Sequence, residues 1–327
     1  MTKKILVIGI GSIGRRHIRN IKFLFPNSTI SLLSKSSNGT YDEEKLVDNI
    51  YHKISDVLSL SFYAIFICGP ASSHIQTSLD FLKKGNNIFI EKPLSDKLAN
   101  CNKFLSYAKF SKNIIQIGYQ FKFHPALIKL RNEIKARKYG NLVSSQIDCS
   151  SYLPKWREGR DYSKTVSASK QLGGGVTLEL SHEIDYANWL FGPFDKVSAI
   201  SKNTKSLKVN VDDISNINLI KKNFICSISL NFHSHFNKRF IIVNFQKASV
   251  LIDLIENKYE LHEVKKKISS NIKYNYDQLF IDEINFFFNC IKKSKNSNMS
   301  LYSSFDTMNI IDKVNKSSSL KKVIDVI

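Results

Sequence analysis

The chain has 327 residues, 43% of them hydrophobic and 23% charged, which is the composition of a folded protein and excludes a disordered one. That length favours two domains over one, and no apolar run approaches the roughly 18 residues of a membrane helix. The formal charge is +20, but the lysines are spread evenly, with no basic block longer than "KKK" at 265–267; nucleic acid is not expected as a partner, while an anionic small molecule is compatible.

The five cysteines (Cys68, Cys101, Cys149, Cys226, Cys290) are scattered without a C-x-x-C pair. This is the pattern of reduced thiols and not of a zinc or disulfide framework. The basic start "MTKK" is followed by a short apolar run without a small-residue cleavage site. A cytoplasmic protein is therefore expected, with no membrane partner.

Residues 1–122 alternate strand and helix. "KILVIGI" (4–10), "TISLLS" (29–34), "YAIFIC" (63–68), "NIFIE" (87–91) and "IIQIGY" (114–119) are short apolar runs, with helical patterns such as 73–84 and 96–109 between them. Buried strands alternating with helices predict a doubly wound parallel sheet. From about residue 142 strands follow one another quickly, predicting a mainly antiparallel sheet of about six strands. Segment 264–275 reads as a polar loop, and helical patterns return at 277–292 and 301–316. The fold class is thus α/β, with a Rossmann domain at 1–122 completed by the C-terminal helix at 300–327. A second α+β domain is expected at 123–299.

The first strand runs directly into G-x-G-x-x-G at Gly9, Gly11 and Gly14, and a helix with Ile13, Ile18 and Ile21 on one face follows. Gly9 permits a tight turn, Gly11 lets backbone approach a pyrophosphate, and Gly14 lets helix and strand pack closely. The helix N-terminus, with Ser12 and Ile13, supplies N–H donors and positive potential. NAD-binding folds usually carry an acidic residue about twenty positions further on, for the ribose. Here the second strand ends in Ser34 and Lys35, with no carboxylate until Asp42. Its absence favours the 2′-phosphate of NADP, so the cofactor is read as NAD(P), leaning to NADP.

Three more stretches carry a pattern. "CGPASSHIQTSLDFLKKGNNIFIEKPLS" holds Pro70, His74 and the triplet Glu91-Lys92-Pro93; "GYQFKFHPAL" covers 118–127; "GGGVTLELSHEIDYANWLFG" covers 173–192 and ends in H-x-x-D at His182 and Asp185. Together with the glycine turn, in this order along the whole chain, they resemble the Gfo/Idh/MocA oxidoreductases (glucose–fructose oxidoreductase, inositol dehydrogenase and relatives). The resemblance implies an NAD(P)-dependent dehydrogenase or reductase acting on a sugar, nucleotide sugar or sugar acid, with a role in surface-glycan biosynthesis as one setting. It puts Pro70, His74, Glu91 and Lys92 at the cofactor and Lys92 beside the reacting carbinol. His182, whose type titrates near 6.5, would take or return the proton. The family often has Asp four residues before this His; Leu178 stands there, and a one-residue deletion with Glu179 at minus three as the substitute would keep Glu179, His182 and Asp185 on one helical face.

"YLPKWREGRDYSKTVSASK" (152–170) is dense in Trp156, Arg157, Arg160 and Tyr162. Such a loop suits an anionic, hydroxyl-rich substrate, with His182 and Asp185 completing the pocket, or is ordinary solvated surface. His233 and His235, read as sharing one strand face, lack a third ligand, so no metal is expected. The resemblance implies a homodimer or homotetramer through the second domain's sheet. Two other functions fit the same motifs: a hydrolase or isomerase using tightly bound NAD transiently, and a non-catalytic dinucleotide sensor, against which Lys92 and His182 both argue.

Overall fold

The computed structural model describes residues 2–35, 39–294 and 298–326. The chain divides into two compact units, one of Met1–Gln120 with Tyr276–Phe305 and one of Phe121–Asn275 with Asp306–Ile327.

In chain order the first unit opens with β1 (Lys4–Ile8), α1 (Ser12–Leu24), β2 (Thr29–Leu33), β3 (Asn49–Tyr51), α2 (Ser55–Leu58), β4 (Ala64–Ile67), α3 (His74–Leu82), β5 (Ile88–Glu91), α4 (Leu98–Ala108) and β6 (Ile115–Gly118). The six strands are parallel, in the order β3-β2-β1-β4-β5-β6. That is the doubly wound order of dinucleotide-binding sheets, which bind ligands beyond the carboxyl ends of their strands. Every residue of β4 and β5 is buried, which explains why these strands read as apolar runs up to Glu91 at the tip of β5. Each Ile or Phe so buried contributes about 1.5–3 kcal/mol. The three-residue β3 was not anticipated, being too short to show a period.

The second unit contains α5 (Pro125–Lys135), β7 (Leu142–Ser150), α6 (Val176–Glu179), α7 (Ser181–Phe191), β8 (Lys196–Lys202), β9 (Ile214–Lys221), β10 (Phe224–Asn231), β11 (Lys238–Phe245), β12 (Ser249–Asp253), β13 (Lys258–Glu263) and β14 (Lys266–Asn271). The chain closes with α8 (Tyr276–Lys292), α9 (Asn298–Leu320) and β15 (Ile324–Asp325). The second sheet has nine strands in the order β14-β13-β12-β11-β7-β10-β9-β8-β15. It is antiparallel except where β7 and β10 run side by side in the same direction. This exceeds the six strands expected. The stretch read as a loop at 264–275 contains β14, whose residues are all exposed and which pairs with β13.

The C-terminal helices divide differently from the sequence reading. α8 belongs to the first unit, where Ile284, Phe287 and Phe288 join Phe66 and Phe89 in the core. Residues 306–327 belong to the second unit. There Ser317 Oγ and Ser318 Oγ accept the backbone N–H groups of Ala199 and Ser201, each at 2.9 Å, and β15 pairs with β8.

Candidate active site

The glycine turn has the geometry its spacing implies. Gly9 has φ +101°, and its N–H donates to the Leu33 carbonyl at 2.9 Å, tying the turn to the end of β2. A Cβ on Gly14 would lie 2.0 Å from the Gly9 carbonyl oxygen, so only glycine lets α1 pack this closely on the turn. A Cβ on Gly11 would meet no protein atom within 4 Å. The protein itself therefore does not demand glycine there, whereas a pyrophosphate approaching the backbone does. Gly11 and Ser12 are exposed, leaving the first turn of α1 open to an anion, with Ile13 half-buried behind it. A dinucleotide fits this cradle.

Ser34 is buried just past β2; its N–H donates to the Tyr51 carbonyl at 2.9 Å, and its own carbonyl lies 3.0 Å from His52 Nδ1. Lys35 is exposed beside it. The carboxylates that follow have local partners. Asp42 takes the Lys45 ammonium at 2.7 Å, and the Glu44 carboxylate accepts the Tyr41 N–H at 3.1 Å. Glu43, also buried, pairs with Arg19 and lies 3.8 Å from Arg15. Arg15 lies over the Tyr41 ring at 4.4 Å.

At the tips of β4 and β5, Pro70 is half-buried and Lys92 partly exposed. The Lys92–Pro93 peptide is cis. His74 is 1% exposed, with Nδ1 2.8 Å from the Pro93 carbonyl and Nε2 2.9 Å from the Gly69 carbonyl. Burial pushes its pKa down, outweighing the two carbonyls that favour the charged ring. His74 thus fastens the β4 tip to the β5 tip, with both ring nitrogens against backbone carbonyls. Glu91 is likewise engaged within the protein. It is buried, 2.6 Å from His17 Nε2 on α1, and its second oxygen accepts the Lys92 N–H at 3.3 Å. Sequence reasoning missed His17, which looks like one more polar residue in "RRHIRN"; its spacing three residues past Gly14 was the available signal.

In the second unit the stretch expected to form one catalytic helix is two helices. The chain breaks at Leu180 (φ −98°, ψ 29°), so Glu179 ends α6 and His182 lies in the first turn of α7. The expected single face bearing Glu179, His182 and Asp185 does not exist, because the period restarts at the break. Asp212, another residue not singled out, caps α6 by accepting the Thr177 hydroxyl at 2.6 Å and the Thr177 N–H at 3.0 Å. His182 is 6% exposed, with the Phe121 ring edge-on at 5.1 Å. Behind Phe121 the Arg239 guanidinium sits 4.5 Å from the ring centre, and its Nε donates to Glu183 at 2.8 Å. Asp185 is 2% exposed and accepts from Lys122 Nζ at 2.8 Å and from the Thr307 hydroxyl at 3.1 Å. Burial pushes its carboxyl up, against the Lys122 charge. Asp185 and Lys122 thus form a buried ion pair.

In the 152–170 loop, the Trp156 indole N–H donates to Ser151 Oγ at 2.8 Å, and the ring meets Phe232 edge-on at 5.2 Å. The Tyr162 hydroxyl accepts the Lys208 N–H at 3.1 Å. Both polar ends are thus engaged within the loop's own fold and its neighbours, while Arg157 is half-buried and Arg160 exposed. His233 and His235 lie beyond the end of β10, not on a strand face: His233 meets Asp213 at 3.2 Å, and His235 stacks on Tyr152 at 4.2 Å. Among the described residues no three His, Cys, Asp or Glu side chains gather as metal ligands, and no helix is long and apolar enough to cross a membrane.

Comparison with known proteins agrees with this architecture. Residues 3–119 match the family model described as "Oxidoreductase family, NAD-binding Rossmann fold", and residues 127–251 match the "GFO/IDH/MocA C-terminal domain". The chain belongs to the Gfo/Idh/MocA oxidoreductase family. It is 27% identical over 209 residues to the rhizopine catabolism protein MocA of Rhizobium meliloti, covering 61% of either chain, about three-fifths of that relative's length. It is 21% identical over 249 residues to inositol 2-dehydrogenase of Salmonella typhimurium, covering 71% of this chain and 70% of that one. A solved levoglucosan dehydrogenase in complex with NADH and levoglucosan superposes with a TM-score of 0.88 at 15% identity over 100% of both chains, a likeness of fold.

Proposed function

We propose that this chain is an NAD(P)-dependent dehydrogenase or reductase that moves a hydride between nicotinamide and the carbinol or keto carbon of a sugar, nucleotide sugar or sugar acid. The observation that carries the reading is Lys92 at the carboxyl end of β5, in a sheet whose first turn is built for a dinucleotide. The names of its relatives, inositol 2-dehydrogenase and levoglucosan dehydrogenase, support a hydroxyl-rich substrate.

When bound, the nicotinamide supplies the hydride acceptor or donor. Gly9, Gly11, Ser12 and Gly14 would hold the pyrophosphate. Lys92 donates a hydrogen bond to the substrate oxygen, as a point charge that stabilises the developing alkoxide. His182 accepts the hydroxyl proton in oxidation and returns it in reduction; Glu179, at the end of the neighbouring helix, is its proposed acidic companion. The cofactor is read as NADP in preference to NAD, because every described carboxylate just after β2 already has a local partner while Ser34 and Lys35 stand at the strand's end. The cations Lys155, Arg157, Arg160 and Lys164 support an anionic group on the substrate. Assembly is read as a homodimer or homotetramer through the second sheet, where Ser144, Gln146, Asn216, Asn218, Ser227 and Asn244 line an uncharged surface.

The test is turnover of a panel of sugars, sugar acids and nucleotide sugars with NADP or NAD, followed by nicotinamide absorbance, in parallel with a Lys92→Ala variant. Turnover by the parent and not by the variant supports the reading. A product formed with no net change in nicotinamide, from cofactor retained through purification, would instead favour transient-NAD hydrolysis or isomerisation.

A further inference from the structure

Lys92 is flanked on both sides by groups held from elsewhere in the first unit. Before it, Glu91 is 6% exposed, with Oε1 2.6 Å from His17 Nε2 and Oε2 accepting the Lys92 N–H at 3.3 Å. After it, the Pro93 carbonyl lies 2.8 Å from His74 Nδ1. His17 comes from α1, the helix that opens at the glycine turn, and is fully buried. Its ring packs on Phe89 at 5.1 Å, Phe66 at 5.2 Å and Phe280 at 6.3 Å. Its Nδ1 has no hydrogen-bond partner among the described residues. Nε2 is therefore the nitrogen whose proton the structure uses, and it is directed at the Glu91 carboxylate.

Room has been kept for this contact. Gly118 stands opposite Glu91 on β6, and a Cβ there would come within 3.2 Å of both Glu91 Oε1 and Phe89 Cε1. The neighbouring Cys68 thiol is pushed well up by burial and by the Glu91 charge, so it stays protonated and brings no second anion. Packing alone does not account for a polar pair here. A leucine at position 17 would fill a pocket of three aromatic rings without desolvating an imidazole and a carboxylate, and buried ion pairs are seldom better than apolar packing for stability.

We propose that His17 is a positioning residue: through Glu91 it fixes the backbone at Lys92, linking the pyrophosphate-binding helix to the residue that meets the reacting oxygen, while His74 holds the carbonyl that follows. This rests on the role proposed above for Lys92. The helix that grips one end of the dinucleotide thereby sets the place of the group acting at the other.

The experiment combines amide hydrogen exchange on the cofactor-free protein with steady-state kinetics, using His17→Leu and His17→Gln; glutamine keeps an N–H donor near the place of Nε2. In His17→Leu, exchange at the Lys92 amide should accelerate about tenfold or more while Ile88–Ile90 stay protected, since the loss is local. Its kcat should fall by about tenfold to a hundredfold, the cost of a small misplacement, with KM and cofactor Kd within about threefold. His17→Gln should recover most of both. Parental exchange and kcat in His17→Leu overturn the proposal; so does a loss spread evenly over β5 that glutamine fails to repair. If His17→Leu does not fold, Glu91→Ala must deprotect the Lys92 amide in the same way, and unchanged exchange there overturns the proposal equally. The exchange readout does not depend on turnover, so full activity in Lys92→Ala would remove the catalytic reading while leaving the positioning result to stand or fall by itself.

Discussion

The Lys122 ammonium lies 2.8 Å from Asp185 Oδ1, in a place where the Asp185 side chain is 2% exposed and that of Lys122 17%. Three residues after His182, Asp185 therefore ties α7 to the segment that leads into α5. Asp185→Ala would leave Lys122 without its buried counter-charge and should lower unfolding stability by about 3 kcal/mol, in the range for breaking such a pair. The remaining folded enzyme should keep its KM. Urea unfolding read beside steady-state kinetics decides: a raised KM with unchanged stability would restore Asp185 as a ligand.

Lys92→Ala should bind cofactor as before and lose turnover by about 10²-fold or more, the scale of a lost acid–base or electrostatic group. Calorimetry with the cofactor, set against single-turnover rates, separates the two effects. Parental rates in the variant would leave the chemistry to other groups.

At the end of β2, NADPH should bind more tightly than NADH, and Lys35→Glu should erase or reverse the preference. The added carboxylate would repel a 2′-phosphate and could accept from a ribose hydroxyl. Equal affinities in the parent, unmoved by the change, would show that Lys35 takes no part in cofactor choice.

Either Arg157→Ala or Arg160→Ala should raise KM for the true substrate with little change in cofactor affinity. Lysine in either place should repair this only in part, because it cannot make the paired hydrogen bonds of a guanidinium. Raising salt should weaken substrate binding in parallel in the parent and less in the variants. A neutral sugar turned over equally well by all of them would leave this loop without a role in recognition.

His74 gives a pH signature to stability. Its folded pKa is lowered, chiefly by burial, so between that value and about 6.5 the unfolded chain binds more protons than the native one. This contribution to stability is complete above about pH 6.5 and is lost as pH falls towards the folded value. His74→Gln should be less stable at neutral pH, through the loss of a carbonyl tie, and should show a flatter decline between pH 7 and 5. Denaturant midpoints across that range measure it; parallel declines would place the titrating group elsewhere.

Much of this architecture could be read from the chain because the signals were local. The runs at 5–8, 64–68 and 88–90 are apolar without interruption, since both faces of the parallel sheet are covered, and the glycines at 9, 11 and 14 sit where strand gives way to helix. What escaped depended on partners distant in sequence. β14, "KKISSN", has no apolar period because it exposes every side chain and is held by pairing with β13. The break at Leu180 carries no Gly or Pro to announce it. The roles of His17 and Glu91 are set by a contact spanning 74 positions, and that of Asp185 by one spanning 63, which no window along the sequence can contain.

The place of α8 has a consequence for how the protein is made. Phe287 stands edge-on to Phe66 and to Phe89, each at 5.7 Å, so the core of the first unit is closed by side chains translated after every strand of the second sheet except β15. A nascent chain emerges N-terminus first and normally folds domain by domain. Here the parallel sheet must wait on the ribosome with part of its apolar surface uncovered while residues 121–275 are added. Release of the last fifty residues, not of the first 120, would set the moment at which the dinucleotide cradle becomes fully stable. A released, truncated chain ending at residue 270 should accordingly be far more open to protease in β4 and β5 than one ending at residue 310.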